Sequence, residues 1–413
     1  MMNPVYIALS SLALAVGLWL AWLLSRPCTK PLIDPQSQKA LDDKLPPRCT
    51  EGNSTTVYTT FNPMLDALMD DIDSAQDHIH LLFFKFEADH IGQHIGNALA
   101  TKAAQGVEVR LMYDDIVNHK QRWYYHTLAD RGVQVQPFAP VHIPFLRKQD
   151  NYRNHRKVVV IDGHTGYLGG MNIAERYKKG LDWGPWRDTQ LRIEGPAVAQ
   201  LQHAFLADWC HATRQLPALD RYFPAPQPCG TQHIEIVTSG PLGPGPVIMH
   251  RTAQLLDQSR EYVYLESPYF IPTPEVMQAL CSAARRGVDV RLLIPSRSDR
   301  GVFLLPASKS YVEQALDAGV RVGFFTGGFL HSKTIVSDDK VANISSANID
   351  PRSYLLDLEI GAYVHDREFA MQLKGIFLAD EAEAHYVDPE RFKQRPLHEK
   401  LFERSARILS PQL

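Results

Sequence analysis

Two histidines in this chain head the same short pattern. His155 is followed by Lys157 and Asp162, and His331 by Lys333 and Asp338, at identical steps of two and seven residues. An asparagine trails each histidine by 17 residues, Asn172 and Asn348. A fixed residue type matches by chance about one time in twenty, so two full copies point to a repeat and not to coincidence. The chemistry within reach of such a pair is displacement at a phosphodiester. One neutral imidazole can attack phosphorus and carry the group covalently. The other can protonate the leaving oxygen and later take a proton from an incoming alcohol. These roles need opposite protonation states near neutral pH, which histidine supplies without large tuning. Lys157 and Lys333 then offset the charge that gathers on the non-bridging oxygens, and Asn172, Asn348 and Ser346 can add hydrogen-bond donors. No metal or other cofactor enters this scheme.

An imidazole in either role needs an acceptor on its second nitrogen to set its tautomer. Asp188 and Glu359 stand at suitable distances downstream. Glu359 lies in the apolar run Leu358-Glu359-Ile360, where a charge needs a partner. An ordinary structural salt bridge is the competing reading for both acids. Asp162 and Asp338 close their strands, so bonding to turn backbone competes with direct chemistry there.

Stepping outward, the two motifs sit in matching surroundings. Apolar spacing predicts a helix over 62–75, then a buried strand over 78–84, a helix capped by Asp89 through Ala104, and a strand over 107–113. The second half repeats this with a helix over 247–259, a strand over 261–266, a helix over 274–286 and a strand over 288–294. Gly106 and Gly287 lie 181 residues apart (287 − 106) and the motif histidines 176 apart (331 − 155), so the chain holds an internal duplication. Two units of this size are two similar domains and not a solenoid. Alternating strands and helices predict two α/β lobes, each a mixed sheet flanked by helices. His155 and Lys157 project to one strand face, as do His331 and Lys333.

With 413 residues, 45% hydrophobic and 22% charged, the chain has the composition of a two-domain globular protein. A net charge of −3 argues against nucleic acid as the main partner. Five scattered cysteines suggest neither a disulfide framework nor a metal site. His90 and His94 have zinc-compatible spacing but no third ligand nearby, which favours surface histidines. Val5 to Leu24 is a 20-residue run without a charge, long enough to cross a bilayer. No Lys or Arg precedes it and no small-residue cleavage site follows, so an uncleaved anchor is expected over a signal peptide. Arg26 and Lys30 put its C-terminal side in the cytoplasm. Five prolines within 25–49 suggest a linker. The expected layout is therefore an anchor at 1–25, a linker at 26–54, a first lobe at 55–216 and a second at 217–413. The mixed basic and aromatic stretches at 120–125 and 145–148 suit a lipid headgroup layer or nucleic-acid bases, and the anchor favours lipid.

The doubled His-x-Lys-x4-Asp pattern with its trailing asparagine resembles the phospholipase D superfamily. Glu266-Ser267-Pro268-Tyr269, Gly327 to Lys333, Ser346 to Ser353 and Arg404 to Pro411 are similar to bacterial cardiolipin synthases, and the likeness runs from about residue 50 to the end. The resemblance implies two phospholipase D-like lobes with pseudo-twofold symmetry. It also implies phosphatidylglycerol and membrane lipids as partners, the bacterial inner membrane as location, and conversion of two phosphatidylglycerols to cardiolipin and glycerol through a phosphatidyl-histidine. By that likeness His155 is the nucleophile and His331 the acid/base, an assignment the pseudo-symmetry leaves reversible. Gly169-Gly170-Met171-Asn172 lacks the family's serine and Ser345-Ser346-Ala347-Asn348 lacks its glycine, so the halves are expected to bind phosphate unequally. A phospholipase D hydrolase, another transphosphatidylase and a tethered nuclease are the alternatives.

Overall fold

A computed structural model describes residues 35–45, 47–140, 151–299 and 304–409. The run Val5–Leu24 lies outside these residues. Among the described residues no helix is long and apolar enough to cross a membrane.

The periodicities read from the sequence become real elements. Helix Phe61–Ser74 buries Phe61, Met64, Leu65, Leu68 and Ile72 along one stripe. Asp89 caps helix His90–Ala104 by accepting from the Ile91 and Gly92 amides at 3.1 and 3.0 Å. Gly106 and Gly287 take φ of +94° and +89°, a backbone that β-carbons disfavour, just after helices His90–Ala104 and Pro274–Arg285.

The first half contributes β1 (Cys49–Tyr58), β2 (His78–Phe83), β3 (Glu108–Asp114), β4 (Gln134–Phe138), β5 (Arg153–Asn154), β6 (Lys157–Ile161), β7 (Thr165–Gly169), β8 (Trp186–Arg187) and β9 (Gln190–Glu194). Among these, β2, β3 and β4 run parallel, and β6 pairs antiparallel with β2 and β7. The second half contributes β10 (Gln232–Ser239), β11 (Tyr262–Glu266), β12 (Asp289–Pro295), β13 (Arg321–Phe325), β14 (Phe329–Leu330), β15 (Thr334–Ser337), β16 (Val341–Ser345), β17 (Asp357–His365) and β18 (Ala384–Tyr386). There β11, β12 and β13 are the parallel set, and β15 runs antiparallel to β11 and β16. From β4 to β13 the sheet order β4-β3-β2-β6-β7-β9-β1-β10-β17-β16-β15-β11-β12-β13 reads the same from either end, with its centre between β1 and β10, and β18 adds an unmatched strand outside β13.

Residues 35–54 correct the linker expectation. Pro35–Asp42 is a helix whose Leu41 is fully buried, and Cys49–Tyr58 is a central strand. Its first part pairs with β10 and its second part with β9, so this one strand joins the two halves. The expected division near 217 falls in the connection between helix Val198–Thr213 and β10.

Asp162 and Asp338 are also corrected as reacting groups. Each follows its motif strand in the left-handed region, at φ of +52° and +54°. The Asp162 carboxylate accepts the amides of Gln76, Asp77 and His78, each at 2.8 Å, ahead of β2. Asp338 does the same for Arg260, Glu261 and Tyr262 at 2.9, 2.9 and 3.0 Å. Both sit at the far end of a five-to-seven-residue extended run, on the order of 20 Å from their histidines. They pin the starts of β2 and β11. Asp162→Ala is expected to cost about 1–3 kcal/mol through unpaired amides, read as a lower denaturation midpoint, with turnover retained at permissive temperature. Unchanged stability with lost turnover would return Asp162 to the chemistry.

Candidate active site

The motif histidines are placed by pairing between the halves. β5 runs parallel to the start of β17, with Arg153 opposite Asp357 and Asn154 opposite Leu358. β14 runs parallel to β8, with Phe329 opposite Trp186 and Leu330 opposite Arg187. The next residue in each register is a histidine facing an acid. The His155 amide donates to Leu358 O at 2.9 Å and the His331 amide to Arg187 O at 2.7 Å. The imidazoles then follow the backbone: His155 Nδ1 lies 2.9 Å from Glu359 Oε1, and His331 Nδ1 lies 2.6 Å from Asp188 Oδ2. Each acid thus serves the histidine of the other half. With Nδ1 donating to a carboxylate, Nε2 is the lone-pair nitrogen presented to a substrate.

Glu359 and Asp188 are fully or almost fully buried. Burial would raise their pKa values, but the adjacent histidines and lysines outweigh it and hold both carboxyls below the usual range. The lysines sit behind the rings. Lys157 Nζ donates to His155 O at 2.5 Å, and Lys333 Nζ donates to His331 O. Lys333 Nζ is also 3.0 Å from His331 Nδ1. That nitrogen already gives its proton to Asp188, so the ammonium is a neighbouring charge and not a second donor to it. Burial is the main cause of lowered pKa in all four cations: His155 and His331 fall to about 4, Lys157 to about 7 and Lys333 to about 8. Lys333 also depresses His155 and Lys157, so the two motifs share one electrostatic site.

The supporting residues divide. Ser346 is not turned to a phosphate: its hydroxyl donates to Glu359 Oε2 and accepts from the Ile360 amide at 2.9 Å. Asn172 Oδ1 accepts from the Lys85 amide at 3.1 Å and its Nδ2 donates to the Tyr177 hydroxyl at 2.6 Å, which leaves one amide hydrogen. Asn348 is buried, and its Oδ1 has no hydrogen-bond partner among the described residues. The missing serine of the first half has a steric cause. A β-carbon at Gly170 would lie 2.1 Å from Asp188 Oδ1, so the shorter acid occupies the space where Ser346 stands in the second half.

Sequence reasoning missed an outer layer. Asp208 binds Arg156 Nη1 and Asn154 Nδ2 at 2.8 Å each, fixing the residues on both sides of His155. Arg187 pairs with Asp380 at 2.6 Å, and Thr189 Oγ1 meets Ser332 Oγ at 2.6 Å, fixing both neighbours of the second pair. Asp208 left a signal, since it interrupts the apolar stripe Leu201, Ala204, Phe205 and Trp209 of its helix. Aromatic rings complete the walls: Phe84 lies edge-on to His155 at 4.8 Å, and Trp186 and Phe329 lie 5.1 and 5.8 Å from His331. His90 and His94 are exposed and stand apart from this cluster.

Comparison with known proteins points to one family. The family model described as cardiolipin synthase, PLD-like domain matches residues 68–209 and 252–380. The cardiolipin synthase of Listeria monocytogenes is 35% identical over 368 residues, covering 88% of this chain and 76% of the relative. That of Geobacillus thermodenitrificans is 38% identical over 366 residues, covering 88% and 73%. The major cardiolipin synthase of Bacillus subtilis is 37% identical over 369 residues, covering 88% and 76%. Among solved structures, phosphatidylserine synthase of Haemophilus influenzae superposes with a TM-score of 0.67 at 13% identity, covering 92% of this chain and all of the other. That likeness speaks for the fold alone.

In the unliganded protein, nitrogen NMR of labelled histidine is expected to show His155 and His331 neutral down to about pH 4, because burial opposes the imidazolium. Glu359→Gln removes the charge that raises His155 and is expected to move its titration lower still. Titration of both rings near 6.5 would contradict the buried geometry.

Proposed function

The chain belongs to the cardiolipin synthase family of the phospholipase D superfamily, and from that premise we propose that it transfers a phosphatidyl group between two phosphatidylglycerols. One observation carries the reading: two imidazoles, His331 buried and His155 largely so, each have Nδ1 tied to a carboxylate of the opposite half and a lysine beside them. In the first step the His155 Nε2 lone pair forms a bond to phosphorus while the bond from phosphorus to the headgroup glycerol oxygen breaks. His331 gives that oxygen a proton and glycerol leaves. In the second step the terminal hydroxyl of another phosphatidylglycerol forms the new ester bond, the phosphorus–nitrogen bond breaks, and His331 takes the hydroxyl proton. Cardiolipin is the product and both rings return to their starting states.

The low pKa of the empty site suits the nucleophile directly, since a neutral ring attacks. The acid must gain its proton when the substrate arrives. An anionic phosphodiester beside His331 favours the imidazolium, as any neighbouring negative charge does. Lys157 and Lys333, set behind the rings, offset the charge that builds on the same oxygens. Asn348, whose side chain already bonds Asp350, has one amide hydrogen left to supply a further polar contact. The run Val5–Leu24 is taken as a single anchor that holds the two lobes on the cytoplasmic side of the bacterial inner membrane.

Purified full-length protein with labelled phosphatidylglycerol is expected to release glycerol and form cardiolipin, in the presence or absence of chelator. Phosphatidic acid as sole product would make it a hydrolase, and DNA cleavage without lipid turnover a nuclease. Either His155→Ala or His331→Ala should lower turnover by at least about a thousandfold, as removal of a nucleophile or its acid/base does. With His331→Ala, enzyme quenched in neutral denaturant, where the phosphorus–nitrogen bond survives, should retain less phosphatidyl-histidine than wild type if His331 is the acid, and full activity in either variant would end the two-histidine scheme.

A further inference from the structure

Resting on the lipid substrate proposed above, we propose that the histidine-bearing end of the molecule is a bilayer-docking face. Trp123 and Leu355 are its apolar anchors, and an anionic lipid surface is its partner. Trp123 is 61% exposed and Leu355 46% exposed. Single exposed apolar residues need no explanation, so their placement decides. Trp123 lies in the first turn of helix Arg122–Asp130, which is pinned just behind Phe84. The Ala88 amide donates to Gln121 Oε1 there, and the Tyr125 hydroxyl donates to Phe86 O at 2.5 Å. Phe84 is the ring set against His155. Leu355 ends the short helix Pro351–Leu355, which starts three residues after Asn348. Arg352 of that helix binds Asn151, four residues before His155, at 3.2 and 3.0 Å. The two anchors therefore come from different halves and flank one mouth.

Charge around that mouth fits the same partner. Lys178 is exposed at the end of helix Glu175–Lys179, just past Asn172, and Lys120 is exposed beside Trp123. Exposed Arg297 lies over the Trp183 ring at 5.6 Å, and Trp183 packs edge-on to Phe329 ahead of His331. Of the acids there, Glu87, Glu175 and Asp115 are paired with Arg176, Lys179 and Arg122, Asp299 accepts from the Tyr269 hydroxyl, and Asp182 is exposed beside Trp183. Bases around tryptophan make the combination that settles at a headgroup layer, the ring at the interface and the cations on lipid phosphates.

The path of the chain points the same way. Gln200 Nε2 bonds Arg48 O at 3.0 Å, and His203 Nε2 lies 3.5 Å from Asp42 Oδ1. Going back from Arg48 to Asp42 therefore advances along helix Val198–Thr213 toward its C-terminal end, where Asp208 binds Asn154 and Arg156 beside His155. Pro35 starts the helix that ends at Asp42, and residues 25–34 separate it from the uncharged run ending at Leu24. That stretch of chain can span at most about 40 Å. A membrane held by the run is thus within reach of the end that carries the site.

The test uses the full chain in vesicles of phosphatidylglycerol and phosphatidylcholine with brominated acyl chains, which quench tryptophan only at contact. Trp19 and Trp22 are common background, so the difference between wild type and Trp123→Phe reports Trp123. Wild type is expected to lose more emission than the variant. A Trp123→Ala/Leu355→Ser double variant is expected to turn over vesicle lipid about tenfold more slowly. It should match wild type within about twofold on short-chain phosphatidylglycerol below its micellar concentration, which also shows that it folds. Equal quenching in wild type and Trp123→Phe, or equal loss on both substrates, would overturn the docking face. So would conversion of a dimer to a monomer by the double variant, which would give the face to a second copy. Quenching at Trp123 without cardiolipin formation would overturn the reaction proposed above and leave the docking face standing.

Discussion

Everything at this site depends on the crossing of the two halves. Two-residue strands, β5 on β17 and β14 on β8, bring each motif histidine level with an acid of the opposite half. His155 and Glu359 are 204 residues apart, and His331 and Asp188 are 143 apart. Neither motif histidine takes its carboxylate from its own half. The crossing also explains how two lysines remain buried at all. A buried charge costs several kcal/mol unless paired. Glu359 and Asp188 offset the buried Lys157 and Lys333 while both rings are neutral, although burial still draws Lys157 down to about 7. A phosphodiester adds one negative charge, and protonation of one imidazole restores the balance. The proton needed for the leaving group is therefore drawn in by the substrate itself.

Within this symmetric frame the halves differ by one methylene group. Glu359 reaches its histidine with room left for the Ser346 hydroxyl, which holds the second carboxylate oxygen. Asp188 is shorter, its carboxylate lies against the backbone, and Gly170 is the residue that leaves space for it. Its second oxygen is held by the Thr189 amide at 2.8 Å instead. Two paired substitutions, serine with glutamate and glycine with aspartate, thus solve the same orientation problem. The departures from the family pattern are local packing solutions before they are differences in phosphate binding.

Much of this was legible beforehand. The duplicated spacing exposed two related halves, and Glu359 was singled out because a charge between Leu358 and Ile360 demands a partner. Which histidine each acid serves was not legible, since the pairing depends on strand contacts between segments far apart in sequence. Asp208 was readable but passed over. Residues 49–58 misled for a physical reason: Cys-Thr-Glu-Gly-Asn-Ser-Thr-Thr-Val-Tyr is polar, and nearby prolines outweighed its β-branched residues. A strand paired on both edges needs backbone hydrogen bonds more than apolar side chains. For Asp162 and Asp338 the spacing alone leaves chemistry and turn bonding open, because both aspartates recur with the histidines. Recurrence reports the repeat, and a repeat preserves strand-pinning residues as faithfully as reacting ones.

In the reaction proposed above, the covalent intermediate has to favour a lipid alcohol over water, although water is far more concentrated. The orientation of His331 does not discriminate, because a ring that deprotonates a glycerol hydroxyl deprotonates water equally well. Discrimination must come from what fills the space above phosphorus. Burial of both rings, with Phe84, Trp186 and Phe329 beside them, removes bulk solvent from the walls but leaves the mouth. A mouth set against a bilayer meets acceptor lipids at high local density and little free water. The same burial that lowers the imidazole pKa values then favours transfer over hydrolysis only while the mouth is covered. Proton balance and acceptor choice become two consequences of a single low-dielectric site, one internal to the protein and the other completed by the membrane.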